Sequence, residues 1–128
     1  MAIRIVQLGS PRSGDEGVRL GTVRRPPRGV PKREIAKRDY YDVWFPILSP
    51  SPALVARART ATGEAEWEWF VRQFKKEMAA PEPGRALDLL AALSASADFS
   101  VGCYCKDERR CHRGVLRQLL KERGAQLI

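Results

Sequence analysis

The chain is poor in several things at once: it has a single histidine, only three cysteines, and no apolar run near the roughly 20 residues a membrane-spanning helix needs. No membrane partner is therefore expected. The opening residues, Met1-Ala2-Ile3-Arg4-Ile5-Val6, meet an arginine too early to form the apolar core of a secretion signal, so the expected compartment is the cytoplasm. An odd cysteine count, with none before Cys103, argues against a disulfide scaffold. Internal repeats and low-complexity tracts are also missing. Acidic residues are in deficit, 15 against 23 Lys and Arg, which leaves a net charge of +8. That deficit is uneven: residues 1–38 carry +7, residues 39–103 carry −3, and residues 104–128 carry +4. If the two basic ends meet in the fold, they form one positive surface suited to a phosphate-bearing ligand, nucleic acid or another polyanion. The plainer alternative is a charge distribution that only keeps the protein soluble. At 128 residues, with 44% hydrophobic and 30% charged content, the composition fits one α/β domain over residues 1–128 with a single core.

Against these scarcities, Asp98 to Arg123 concentrates the chemistry. An apolar run of strand length, Phe99 to Cys105, gives way to six mostly charged residues, and then Val115, Leu116, Leu119 and Leu120 resume at helical period. That order reads as strand, loop, helix. All three cysteines, the histidine and Arg109, Arg110, Arg113 and Arg117 fall inside it. In α/β sheets the loop leaving a strand's carboxyl end faces ligands, and the free N–H groups of the next helix attract anions. Arginines crowded at that helix start oppose its dipole, and a bound anion between them would resolve the conflict. The competing reading is that Asp107 and Glu108 neutralise the arginines, one of them capping the helix.

Elsewhere, Ile3 to Leu8 alternates as a strand, and Gly17 to Val23 forms a second extended piece. Arg24 to Arg33 is loop by its three prolines and its glycine, which hold Arg28 and Lys32 extended and ready to bind an anion; a solvated linker is the alternative. Tyr40 to Leu48 is aromatic and β-branched, a strand expected to end near Pro46. Ser49-Pro50-Ser51-Pro52 has the serine cap and early proline of a helix start. Trp67, Phe70, Val71, Phe74 and Met78 form the core-facing stripe of a helix over residues 64–78, with Trp69 off the stripe. Pro81-Glu82-Pro83-Gly84 reads as a break before a helix from Arg85 to Ala97, through Ala86, Leu89, Leu90 and Leu93. Strands first, then helices, then a strand and a helix, point to a small, mostly parallel sheet flanked by helices.

Three stretches, Pro27-Arg28-Gly29-Val30-Pro31-Lys32, Ser49 to Leu54, and Trp69-Phe70 with Phe74 and Glu77, accompany the ending Cys105-Lys106-Asp107-Glu108-Arg109-Arg110-Cys111-His112-Arg113. Together they resemble the domain of unknown function 488 family, over most of the chain. The resemblance implies an α/β fold and a shared site, and supplies no reaction. Relatives often place a tryptophan before the Pro-Arg-Gly; here that place is Pro26, which implies a differently shaped pocket near Arg28.

Three chemistries compete for the Cys-His-Arg turn. The leading one is a pocket for phosphate or another small anion, held by Arg28, Lys32, Arg109 and Arg113, with His112 as donor or acid/base and Cys105 as a second candidate catalytic group. Cys103, five residues, then Arg109 also resembles the signature of cysteine-dependent phosphatases and sulfurtransferases, but the loop between lacks glycine and carries two acids. The leading reading expects no cofactor. The alternative is zinc on Cys103, Cys105, Cys111 and His112, a sound donor set whose spacing differs from the usual knuckles. Cys103 could equally be a small core hydrophobe. The third reading is a nucleic-acid-binding surface, with Arg113, Arg117 and Lys121 recurring along one helix face.

Overall fold

In the computed structural model, which describes all 128 residues, four parallel strands stand in the order β1-β4-β2-β3. They are β1 (Ile3–Gln7), β2 (Val18–Gly21), β3 (Val43–Trp44) and β4 (Phe99–Cys103). Four helices accompany them: α1 (Pro52–Arg59), α2 (Gly63–Met78), α3 (Pro81–Leu93) and α4 (His112–Glu122). The α/β class and the parallel sheet are as the sequence predicts. No helix is long and apolar enough to cross a membrane.

The sheet's two faces are covered differently. Ile3, Phe99 and Val101 project to one side and join Phe70, Phe74, Met78, Leu87, Leu90, Leu116 and Leu120 of α2, α3 and α4 in the main core. The other side carries Arg19 and Ser100, and loops take the place of a second helical layer. Arg19 there donates to the carbonyls of Ser10 and Asp39 and pairs with Glu16, all within a buried patch. Pairing with β1 on one side and β2 on the other makes β4 an interior strand, and all five of its residues are buried.

Several boundaries differ from expectation, each for a local reason. Tyr40 to Leu48 yields only two strand residues, since Pro46 has no N–H to continue the ladder and Pro46–Leu48 forms a 3-10 turn instead. Lys32–Glu34, expected within a loop, closes another such turn. Pro81 does not break the chain; it occupies the first turn of α3, where a missing N–H costs nothing, so the helix starts before Arg85 and ends at Leu93. On α3 the buried stripe is Leu87, Leu90 and Ala91, while Leu89 and Leu93 face solvent. The strand before the Cys-His-Arg turn stops at Cys103, leaving Cys105 in the loop. Ser51 caps α1 by accepting from the Leu54 N–H at 3.2 Å, with Pro52 next in line, as predicted.

Candidate functional site

The carboxyl ends of β2 and β4 open beside the start of α4, the edge where parallel sheets receive ligands. β4 delivers Cys103, and the chain then turns through Tyr104 to Asp107 into a short 3-10 turn, Glu108–Arg110. The Asp107 carboxylate accepts from the Arg109 N–H at 3.0 Å and so caps that turn. Glu108 pairs with Arg117 at 2.5 Å and anchors the turn to α4. Both acids are thus engaged with arginines, as the competing sequence reading held. Cys111 is extended, with φ −137° and ψ 147°, and His112 opens the helix directly after it. Gly114 permits this close fit, because a Cβ there would sit 2.4 Å from the Glu108 carbonyl oxygen.

That path gathers residues distant in sequence pattern into one cluster. The Sγ, Sγ and ring nitrogen of Cys103, Cys111 and His112 all lie within 4.8 Å of one another, and Cys105 Sγ is 3.9 Å from Cys103 Sγ. His112 is buried, with Nε2 at 2.6 Å from the Thr22 carbonyl and the Phe74 ring packed edge-on at 5.5 Å. A carbonyl only accepts, so Nε2 carries the proton. Burial pushes the ring's pKa down to about 4, and the neutral ring therefore turns the lone pair of Nδ1 toward Cys111 Sγ, 3.9 Å away. Among the thiols, Cys105 alone is exposed. Hydrogen bonds from Cys103 and Cys111, helped by the charge of Arg113, pull its pKa well below the usual thiol range and push those of its two donors up.

Arg113 lies behind this cluster. It is buried, and Nη2 donates to the carbonyls of Cys105 and Lys106, both at 3.0 Å, which holds the loop in its turn. Its Nε has no partner and no carboxylate meets it. The guanidinium is a buried cation, and its charge acts on the thiol of Cys105.

Above the cluster opens a cavity of about 860 Å³. Arg24, Arg25, Arg28, Arg59 and Arg110 line it, and no carboxylate does. Arg24 is fixed by the carbonyls of Pro46, Ser49 and Pro50. Arg110 pairs with Glu64 and lies 5.9 Å over the Trp67 ring. Arg25, Arg28 and Arg59 form no ion pair. Trp67, Phe70, Tyr40 and Tyr104 supply aromatic walls, and the Tyr104 hydroxyl donates to the Arg25 carbonyl at 2.8 Å.

The predicted residues are thus partly assembled. Cys105, His112 and Arg28 share the cavity, together with Cys103 and Cys111. Lys32 and Arg109 are exposed and lie outside the lining; Arg109 is held by Asp107 at 3.3 Å. Arg113 binds backbone. The row Arg113, Arg117, Lys121 is not a free face, since Arg113 is buried and Arg117 is tied to Glu108. Arg59 and Trp67 escaped the sequence reading as site residues. Arg59 has no signal beyond its charge, and Trp67 sits at a core-stripe position. The two basic ends do meet, in Arg24, Arg25 and Arg28 from one and Arg110 from the other.

Neither curated proteins nor solved structures provide a match to the chain. A family model does: that of DUF488-N3a, described as the active DUF488-N3 subclade, matches residues 3–124, and the chain belongs to this family of the domain of unknown function 488.

Proposed function

We propose that the cavity binds a small molecule carrying a phosphate or similar anionic group on a flat apolar portion, with its anionic end among the arginines. The observation that carries this reading is the lining itself: five arginines without one carboxylate, beside aromatic walls. Clustered cations repel one another even where they are exposed, and Arg25, Arg28 and Arg59 face the cavity with no acid beside them, so a ligand that supplies negative charge relieves the repulsion. At about 860 Å³ the space suits a ligand the size of a nucleotide or smaller. Arg25, Arg28 and Arg59, which have no internal partner, are the anion contacts, while Trp67 and Tyr104 receive the apolar portion. Lys32 and Arg109 act at most as outer steering charges.

A calorimetric titration tests this with a nucleoside monophosphate and the corresponding uncharged nucleoside as probes. The phosphate-bearing member should bind more tightly, and Arg28→Ala should weaken it by about 1.5–3 kcal/mol, the scale of a hydrogen bond to a charged group. Equal affinity for the two probes would defeat the reading.

A further inference from the structure

The cavity's floor supports a second site that does not depend on the anion. We propose that Cys103, Cys105, Cys111 and Nδ1 of His112 bind one zinc ion in a tetrahedral Cys3His site. With zinc–sulfur bonds of about 2.3 Å and a zinc–nitrogen bond of about 2.0–2.1 Å, the edges of such a tetrahedron are roughly 3.6–3.8 Å. The corresponding separations are 3.9 Å for Cys103 Sγ to Cys105 Sγ and 3.9 Å for Cys111 Sγ to His112 Nδ1. Cys105 Sγ, which lies outside the mutual cluster of the other three donors, swings inward about its exposed loop to complete the set. Cys103, Cys111 and His112 already converge within 4.8 Å.

The histidine is prepared for this role. Its Nε2–H is committed to the Thr22 carbonyl at 2.6 Å, which fixes the tautomer and leaves Nδ1 as a free donor atom facing sulfur. A carbonyl that accepts from the distal ring nitrogen is how metal-bound imidazoles are commonly oriented. The spacing that looks unlike a zinc knuckle in sequence has a structural answer. Cys103 ends a strand, Cys111 is extended and His112 begins a helix, so the adjacent Cys111 and His112 bring their donors to 3.9 Å of each other and both face Cys103.

The charge balance is compatible with the same occupant. Three thiolates and a divalent ion sum to −1, and the buried, carboxylate-free Arg113 stands beside them. Sulfur-rich donors select zinc over magnesium or calcium. On binding, the three thiols release their protons to solvent and nothing is oxidised or reduced.

Cobalt(II), added to the reduced full-length protein, reports the donor set by its spectrum. One equivalent should give thiolate-to-cobalt charge transfer with tetrahedral d–d bands, and zinc should displace it. Cys105→Ser removes the exposed ligand; it should stay folded by circular dichroism, lose part of the charge-transfer intensity, and bind zinc more than about tenfold more weakly in a chelator competition. Arg28→Ala, which the anion reading predicts to impair ligand binding, should leave the cobalt spectrum unchanged, so the two proposals fail separately. Absence of a thiolate charge-transfer band in the reduced wild type, or zinc affinity undiminished in Cys105→Ser, overturns the site.

Discussion

Glu16 and Arg19 make up the one ion pair of this protein in which both partners are buried, at 2% and 0% exposure, which makes the response to acid a test of the pair. Burial alone would raise the Glu16 carboxyl, but hydrogen bonds from Arg19 and Ser100 overcome it and hold the pKa at about 2. An unfolded glutamate takes up its proton near 4.5, so the pair's contribution is complete above that pH and is lost as pH falls toward 2. Urea midpoints measured across this window should fall for the wild type and change less for Glu16→Gln. Glu16→Ala at neutral pH should cost about 3–5 kcal/mol, because it leaves the Arg19 charge buried and unpaired. An acid profile identical in wild type and Glu16→Gln would show that the pair does not control it. Nothing in the sequence marks Glu16 or Arg19 among many charged residues, since their pairing depends on which loop covers the second sheet face. That Cys105, His112 and Arg28 would come to line one cavity, by contrast, was legible: rare residue types stand close together at a strand-to-helix turn, and a proline-rich loop constrains the arginine.

At the scale of elements, the approach of α4 to the Glu108–Arg110 turn decides whether the site assembles. Gly114→Ala would place a methyl group 2.4 Å from the Glu108 carbonyl oxygen, backbone that cannot swing aside as a side chain would. The variant should lose about 1–3 kcal/mol of stability, the usual range for overpacking, and thermal unfolding followed by circular dichroism checks it. Stability equal to wild type would mean that the turn yields freely. Helix and strand identity were readable wherever one period ran long enough, as in the Trp67 to Met78 stripe. Boundaries at prolines were less so. Pro46 stops a strand early while Pro81 starts a helix, and the two differ only in whether the missing N–H falls in a ladder or in a first turn. On α3 two apolar stripes were possible, and contact with the rest of the core selected Leu87 and Leu90 over Leu89 and Leu93.

For the whole molecule, five of the 23 basic residues line the cavity, while the outer helix offers no continuous free row because Arg113 is buried and Arg117 is paired with Glu108. Duplex DNA should consequently bind weakly and lose its affinity steeply as salt rises, whereas a single phosphate-bearing ligand releases few counterions and should keep most of its affinity. Fluorescence anisotropy of a labelled duplex and calorimetry of a nucleoside monophosphate, both repeated over a salt series, give the two slopes. Tight duplex binding at physiological salt, lowered by Arg117→Ala and Lys121→Ala, would favour the polyanion surface instead. The central claim, that the arginine-lined cavity is the anion site, is tested most directly by crystals soaked in tungstate, an oxyanion whose anomalous scattering locates it. The account predicts a tungsten peak inside the cavity within hydrogen-bonding reach of Arg25, Arg28 or Arg59. Peaks confined to outer cations such as Lys32 and Arg109, or no peak at all, would contradict it.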